Sequence, residues 1–182
     1  MRKKLCLIIA LVIGGTAYSF PKLITRTGTV QFSSETGVEK IEAVNSSCSS
    51  ILKTETKVLV FSVMMRSFKF DKALMEEHFN EKYVESDTYP AAKFKGKIED
   101  DIDFSKDGSY DSVKVVGTMD FHGVTKEMIV YANIKVDVTS NTITCVSSFL
   151  LNLEAYKIEV PSLVKDKISK DIKVSTNFIY KN

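Results

Sequence analysis

The chain has 182 residues, of which 44% are hydrophobic and 26% charged, and a formal net charge of +2. That near-balance excludes a domain built to hold nucleic acid, which carries a clustered basic excess. The length is enough to bury one sizeable core without staples.

The first element has three zones: basic Arg2, Lys3 and Lys4, an apolar run from Leu5 to Ile13, and small residues from Gly14 through Ser19. This zoning predicts a signal peptide over residues 1–19, with Ala17 and Ser19 fitting the small-x-small rule and cleavage before Phe20. The apolar run is far shorter than the roughly 20 residues of a spanning helix. Cys6 lies inside that run rather than after it, so a lipid anchor is not expected. Removing the three cationic residues leaves residues 20–182 at about −1. The mature chain is expected to be periplasmic or secreted, with no integral membrane span.

Beyond residue 24 no repeat, low-complexity stretch or linker interrupts the chain, which predicts one domain over residues 20–182. Short runs rich in β-branched and aromatic residues follow one another: Thr27–Phe32, Val38–Ser46, Lys53–Phe70, Lys93–Ile98, Val113–Phe121, Glu127–Val136, Thr142–Leu153 and Ile172–Tyr180. Many short strands of this kind read as a sandwich or a barrel. Val113, Val115, Gly117, Met119 and Phe121 alternate with mostly polar partners, so one strand face is dry and one wet. Turn chemistry at Asp107-Gly108-Ser109, Phe121-His122-Gly123 and Ser140-Asn141 suits hairpins and an up-and-down meander. Between strands, residues 71–84 carry Leu74, Met75, His78, Phe79 and Tyr83 at helical spacing, with Asp71 as N-cap and Glu76 and Glu77 facing water. A second, shorter helix is expected over Val160–Ser169, with Pro161 in its first turn and Leu163, Val164 and Ile168 pointing inward. Met65, Ile98, Phe149, Leu151 and Leu153 join the other large dry-face residues, which either fill the interior or leave room for one elongated ligand.

Means for catalysis are sparse. There are two histidines, His78 and His122. Glu76, Glu77 and His78 are neighbours on a helix and point about 100° apart, so they do not converge on a metal. His122 reads as a turn residue at a loop tip. No Gly-x-Ser-x-Gly elbow occurs, and Ser162 after Pro161 reads as part of a helix start. The carboxylates Glu99, Asp100, Asp101 and Asp103 lack calcium-loop spacing and read as a solvated hairpin loop. Cys48 and Cys145 either pair or stand as two separate half-buried thiols acting as small apolar residues. An outer-membrane barrel would need an apolar outer belt, whereas the wet faces carry Lys69, Lys95, Lys97, Glu99, Lys114, Asp120, Lys173 and Asn177.

Four segments resemble the YceI-like family. They are "LMEEHFNEKYVESDTYPAAKFKGKI" at residues 74–98, "FSVMMRSFKF" at 61–70, "VVGTMDFHGVTKEM" at 115–128 and "YKIEVPSLVKDKISKDIKVSTNF" at 156–178. Met119 stands where the family usually has Leu, and Asn152-Leu-Glu-Ala-Tyr replaces the usual acidic-aromatic-Gly turn. The resemblance implies an all-β, eight-stranded antiparallel lipocalin-like barrel with one or two short helices. It also implies an exported protein with a long apolar tunnel for a polyisoprenoid chain such as a quinone tail. Carried over residue by residue, the cavity would be lined or closed by Phe61, Val63, Phe68, Phe70, Leu74, His78, Phe79, Tyr83, Tyr89, Phe94, Met119 and Phe121. On this reading the chain is a carrier or buffer of apolar lipid, with no catalytic residue, metal or cofactor beyond that ligand. Pairing of two copies through an exposed edge or long hairpin is compatible with a domain of this size. The alternative is a hydrolase or isomerase acting on a lipid-like substrate in the same cavity, with His78 as catalyst.

Overall fold

Period-two alternation produces long strands whose inward faces bury apolar side chains, and the strands close on themselves. The computed structural model describes residues 22–181, so the expected signal peptide, its cleavage point before Phe20, and Cys6 lie outside the described residues. Among the described residues nine strands are present: β1 (Leu23–Glu35), β2 (Lys40–Lys53), β3 (Val58–Met64), β4 (Lys69–Phe70), β5 (Ala91–Ile98), β6 (Gly108–Phe121), β7 (Val124–Asp137), β8 (Thr142–Asn152) and β9 (Asp171–Lys181). Eight of them form a closed antiparallel barrel in the order β1-β2-β3-β5-β6-β7-β8-β9, completed by β1 against β9. The short β4 is an addition, pairing with β2 through Ala43↔Phe70 and Val44↔Lys69. Closure leaves the eight barrel strands without a free sheet edge along their shared ladders.

The expected strand over residues 53–70 is in fact three pieces. Polar Thr54, Glu55, Thr56 and Lys57 turn the chain, with Lys57 at φ 56°. After Met64 a 3-10 turn over Met65–Ser67 redirects it toward β4. Asn45 holds that exit: it is fully buried, its side-chain amide donates to the Met64 carbonyl at 2.9 Å, and its oxygen accepts from the Ser47 backbone N–H at 2.9 Å.

The expected helix over 71–84 is present as α1 (Ala73–His78) and a continuing π-helical turn over Phe79–Tyr83. Its N-cap position is Lys72, not Asp71, and no side chain caps it. Glu76 does not simply face water; its carboxylate accepts from Lys69 at 2.7 Å. The second expected helix shrinks to one 3-10 turn over Ser162–Val164, preceded by Pro161. Leu163 is 93% exposed instead of inward. Of the apolar residues in this stretch Val164 and Ile168 line the cavity, too narrow an apolar stripe to hold a longer helix.

One half of the barrel is solid. Leu23, Leu52, Leu59, Ile98, Val115, Ile134, Val136 and Ile143 fill it. The β5–β6 loop folds across this end and buries Ile102 and Phe104, so it is more than a solvated hairpin, although Asp100, Asp101 and Asp103 stay exposed. Tyr180 is wholly buried and donates to Ser50 Oγ at 2.6 Å, because Ser50 spends its own proton on the Val60 carbonyl at 2.8 Å. The layer above consists of three aromatic rings: Phe61 stacks on Phe94 at 5.2 Å and on Phe178 at 5.6 Å. Two glycines make room for them. A Cβ on Gly28 would lie 2.2 Å from the Phe178 ring, and one on Gly96 would lie 2.6 Å from the Phe94 ring.

Cys48 and Cys145 are both free and buried, the second of the two alternatives. Burial pushes the Cys48 thiol up to about 11 and the Cys145 thiol up to about 12. The Tyr180 phenol is raised as well, first by burial.

Two expectations follow from this packing. Gly28→Ala forces a methyl into the Phe178 ring and should cost about 1–3 kcal/mol in urea denaturation, a loss partly recovered by adding Phe178→Leu; equal losses in both proteins would refute the close-approach explanation. The raised thiol values give a pH dependence of known sign: their stabilising effect is complete below the unfolded value near 9.0 and is lost as pH rises through the folded values of about 11 and 12. Stability measured from pH 8 upward should therefore decline beyond about 9, and alanine at Cys48 and Cys145 should flatten the decline, leaving the share due to Tyr180.

Candidate functional site

Above the three rings the barrel is hollow. A cavity of about 430 Å³ occupies the half nearer the end of β6 and the start of β9. Its walls are inward-facing strand residues: Val30 and Phe32 of β1, Phe61 and Val63 of β3, Ala92 of β5, Met119 and Phe121 of β6, Phe149 and Leu151 of β8, and Ile172, Val174 and Thr176 of β9. Two chain segments cover the mouth. One runs from Met65 to Val84 and contributes Phe68, Phe70, Leu74, Met75, His78, Phe79 and Tyr83; the other, a strap after β8, contributes Leu153, Ile158, Val164 and Ile168. Polar lining is confined to a few groups such as Ser34, Glu39, Lys72, His78, Lys167 and Thr176. Glu39 and Lys72 face each other at 3.7 Å.

The helix is short and uncapped, so it would be marginal alone. Aromatic packing holds it. Phe32 of β1 meets Phe68 at 5.2 Å, Phe79 at 5.4 Å and Phe70 at 5.7 Å, and Phe79 meets Phe70 at 5.1 Å. Each such pair adds about 0.5–1.5 kcal/mol beyond its area burial. The rings that fix the helix are the rings that line the cavity.

The strap is pinned at both ends. The Leu153 backbone N–H donates to the Lys170 carbonyl at 2.9 Å, and the Ser169 N–H donates to Ser34 Oγ at 2.8 Å. Lys157 turns the chain at φ 58°, in the stretch where the family's usual glycine is missing. In the middle, His122 holds the Tyr156 carbonyl through Nδ1 at 2.9 Å. His122 is a turn residue, at φ 51° before Gly123 at φ 69°, but it is not an exposed loop tip. Its side chain is 8% exposed, its Nε2 lies 3.5 Å from the Glu85 carboxylate, and its ring sits 4.5 Å from that of Tyr89. One imidazole thus touches the β6–β7 hairpin, the end of the helix segment and the strap. The β7–β8 ladder ends at Ala132↔Ser147, and toward the mouth Tyr156 packs on Phe121 at 5.5 Å.

Ten of the twelve residues carried over from the resemblance stand on the cavity wall: Phe61, Val63, Phe68, Phe70, Leu74, His78, Phe79, Tyr83, Met119 and Phe121. Phe94 lies beneath, in the ring layer, and Tyr89 lies apart from the cavity against His122. The wall also includes Phe32, Phe149, Leu151, Leu153 and Val174. Strand alternation marks Phe32, Phe149, Leu151 and Val174 as inward, and Leu153 continues the β8 period one step past the strand's end; Ile158, in irregular chain, carried no such signal. Burial raises the Tyr83 and Tyr156 phenols, so both remain neutral. Among the described residues no group of three His, Cys, Asp or Glu side chains is placed to hold a metal ion.

Replacing His122 with alanine removes the donor to the Tyr156 carbonyl. Amide exchange across residues 153–170 should quicken by about tenfold, the effect of one lost hydrogen bond of about 1–1.5 kcal/mol, while the closed half keeps its protection. Unchanged exchange in the strap would refute the pin.

The profile of the YceI-like domain matches residues 22–179. Among solved structures, a polyisoprenoid binding domain from Saccharophagus degradans superposes with a TM-score of 0.72 at 16% identity, covering 88% of this chain and 98% of that one. BcnA of Burkholderia cenocepacia gives 0.67 at 12% identity, over 84% and 95%. The YCEI protein of Campylobacter jejuni gives 0.60 at 16% identity, over 77% and 84%. No curated protein sequence matches the chain.

Proposed function

The chain belongs to the YceI-like domain family, and from that premise we propose that it is an exported binding protein holding one long apolar lipid, of polyisoprenoid or quinone-tail type, as a carrier or buffer. The observation that carries this reading is the cavity itself: about 430 Å³, walled by aliphatic and aromatic side chains, with charged groups only at the rim. That size and polarity suit a pre-formed lipid site. An apolar chain gains about 25 cal/mol for each Å² it buries there, and rim groups such as Lys72, Glu39 and Lys167 orient a polar head. The name of the Saccharophagus degradans structure, a polyisoprenoid binding domain, supports the ligand class. Export is supported by the zoning of residues 1–19, and the exposed Lys93, Lys95 and Lys97 along one outer face argue against an outer-membrane barrel. Among the described residues no helix is long and apolar enough to cross a membrane.

His78 on the cavity wall favours a second reading, a hydrolase or isomerase acting on a lipid-like substrate. The two readings separate cleanly. Under the first, protein purified without detergent releases an unaltered apolar lipid into organic solvent, seen by mass spectrometry. Under the second, incubation converts that lipid and His78→Ala abolishes the conversion. Ala92→Trp places an indole in the cavity and should weaken binding of a prenylated probe by at least about tenfold. Lipid-free protein that also fails to bind such a probe would overturn the carrier reading.

A further inference from the structure

We propose that the stacked rings of Phe61, Phe94 and Phe178 are a ruler that limits how long an apolar chain the cavity accepts whole, which makes the preferred ligand a single-chain lipid of bounded length. The inference rests on the reading that the cavity holds an apolar lipid. It adds what sets the chain's end.

The cavity stops at one level around the barrel. On β1 the wall includes Val30 but not Gly28; on β5 it includes Ala92 but not Phe94; on β9 it includes Thr176 but not Phe178. Phe61, directly opposite Phe94 in the β3–β5 ladder, is the ring that faces the cavity. This floor is rigid. Phe94 is 2% exposed and Phe178 1%, and each ring lies against a glycine that leaves no space for even a methyl group. Phe178 of β9 lies against Gly28 of β1, and Phe94 lies against Gly96 two residues along its own strand. Beneath them the Ser50–Tyr180 hydrogen bond and the packed aliphatic layer close the barrel. A chain entering at the mouth therefore meets a solid end. Added length beyond that point must fold back or stay in water, where it gains nothing from burial.

The test uses straight-chain alcohols of increasing length, with binding measured by displacement of a fluorescent lipid probe. For the wild-type protein, affinity should rise about fourfold with each added methylene up to one length and then level off. Phe61→Ala, or the milder Phe61→Leu, lowers the floor and should move the break to longer alcohols. Val63→Phe raises the floor and should move it to shorter ones. Opposite shifts cannot come from misfolding, which would abolish binding at every length. A steady rise with no break, or a break that stays put in both the Phe61 and Val63 variants, overturns the ruler alone. Absence of binding at all lengths in the wild-type protein overturns the lipid-holding reading with it.

Discussion

The close approach of two phenylalanine rings to two glycines is the contact on which this structure turns. Phe178 over Gly28 and Phe94 over Gly96 let aromatic side chains lie across the barrel instead of standing along its wall, and Phe61 stacks between them. The result is a partition. One side is packed like any small core, and the other is free to be empty. The open side leaves apolar walls without packing partners, so the core contacts that hold the barrel together are concentrated on the solid side. Stability and ligand capacity are therefore set by the same three rings, seen from opposite sides.

The mouth is organised on a different principle. Its two coverings are not stable elements in their own right; one is a short uncapped helix and the other is mostly irregular chain. They stay in place because Phe32 gathers Phe68, Phe70 and Phe79, and because His122 reaches both Tyr156 and Glu85. Side chains rather than main-chain ladders do the holding. Such regions sit at the low end of a protein's local stability range.

Much of this was legible in the sequence, and the reasons differ by element. Strands β6 and β9 announce themselves because Val113 to Phe121 and, except at Ile179, Val174 to Tyr180 alternate, and a half-buried sheet demands that period. The family resemblance then supplied the closed barrel and about a third of the cavity wall. The turn at Thr54–Lys57 was hidden because it lies between two apolar runs and contains neither glycine nor proline. His122 looked like a loop tip because turn chemistry describes the backbone, while its ring is captured by groups 34 and 37 residues away in the chain. The ring layer was out of reach for a related reason: Gly28 faces Phe178 of another strand, and that pairing has meaning only once the strand register is known.

The β7–β8 ladder stops at Ala132↔Ser147, short of the mouth, and what stands beyond it is Tyr156 against Phe121, with its carbonyl held by one imidazole. Side-chain contacts close the wall there, so the strap can shift without unzipping an interstrand ladder. Its motion can therefore run on the clock of a loop, while the barrel persists on the far slower clock of global unfolding.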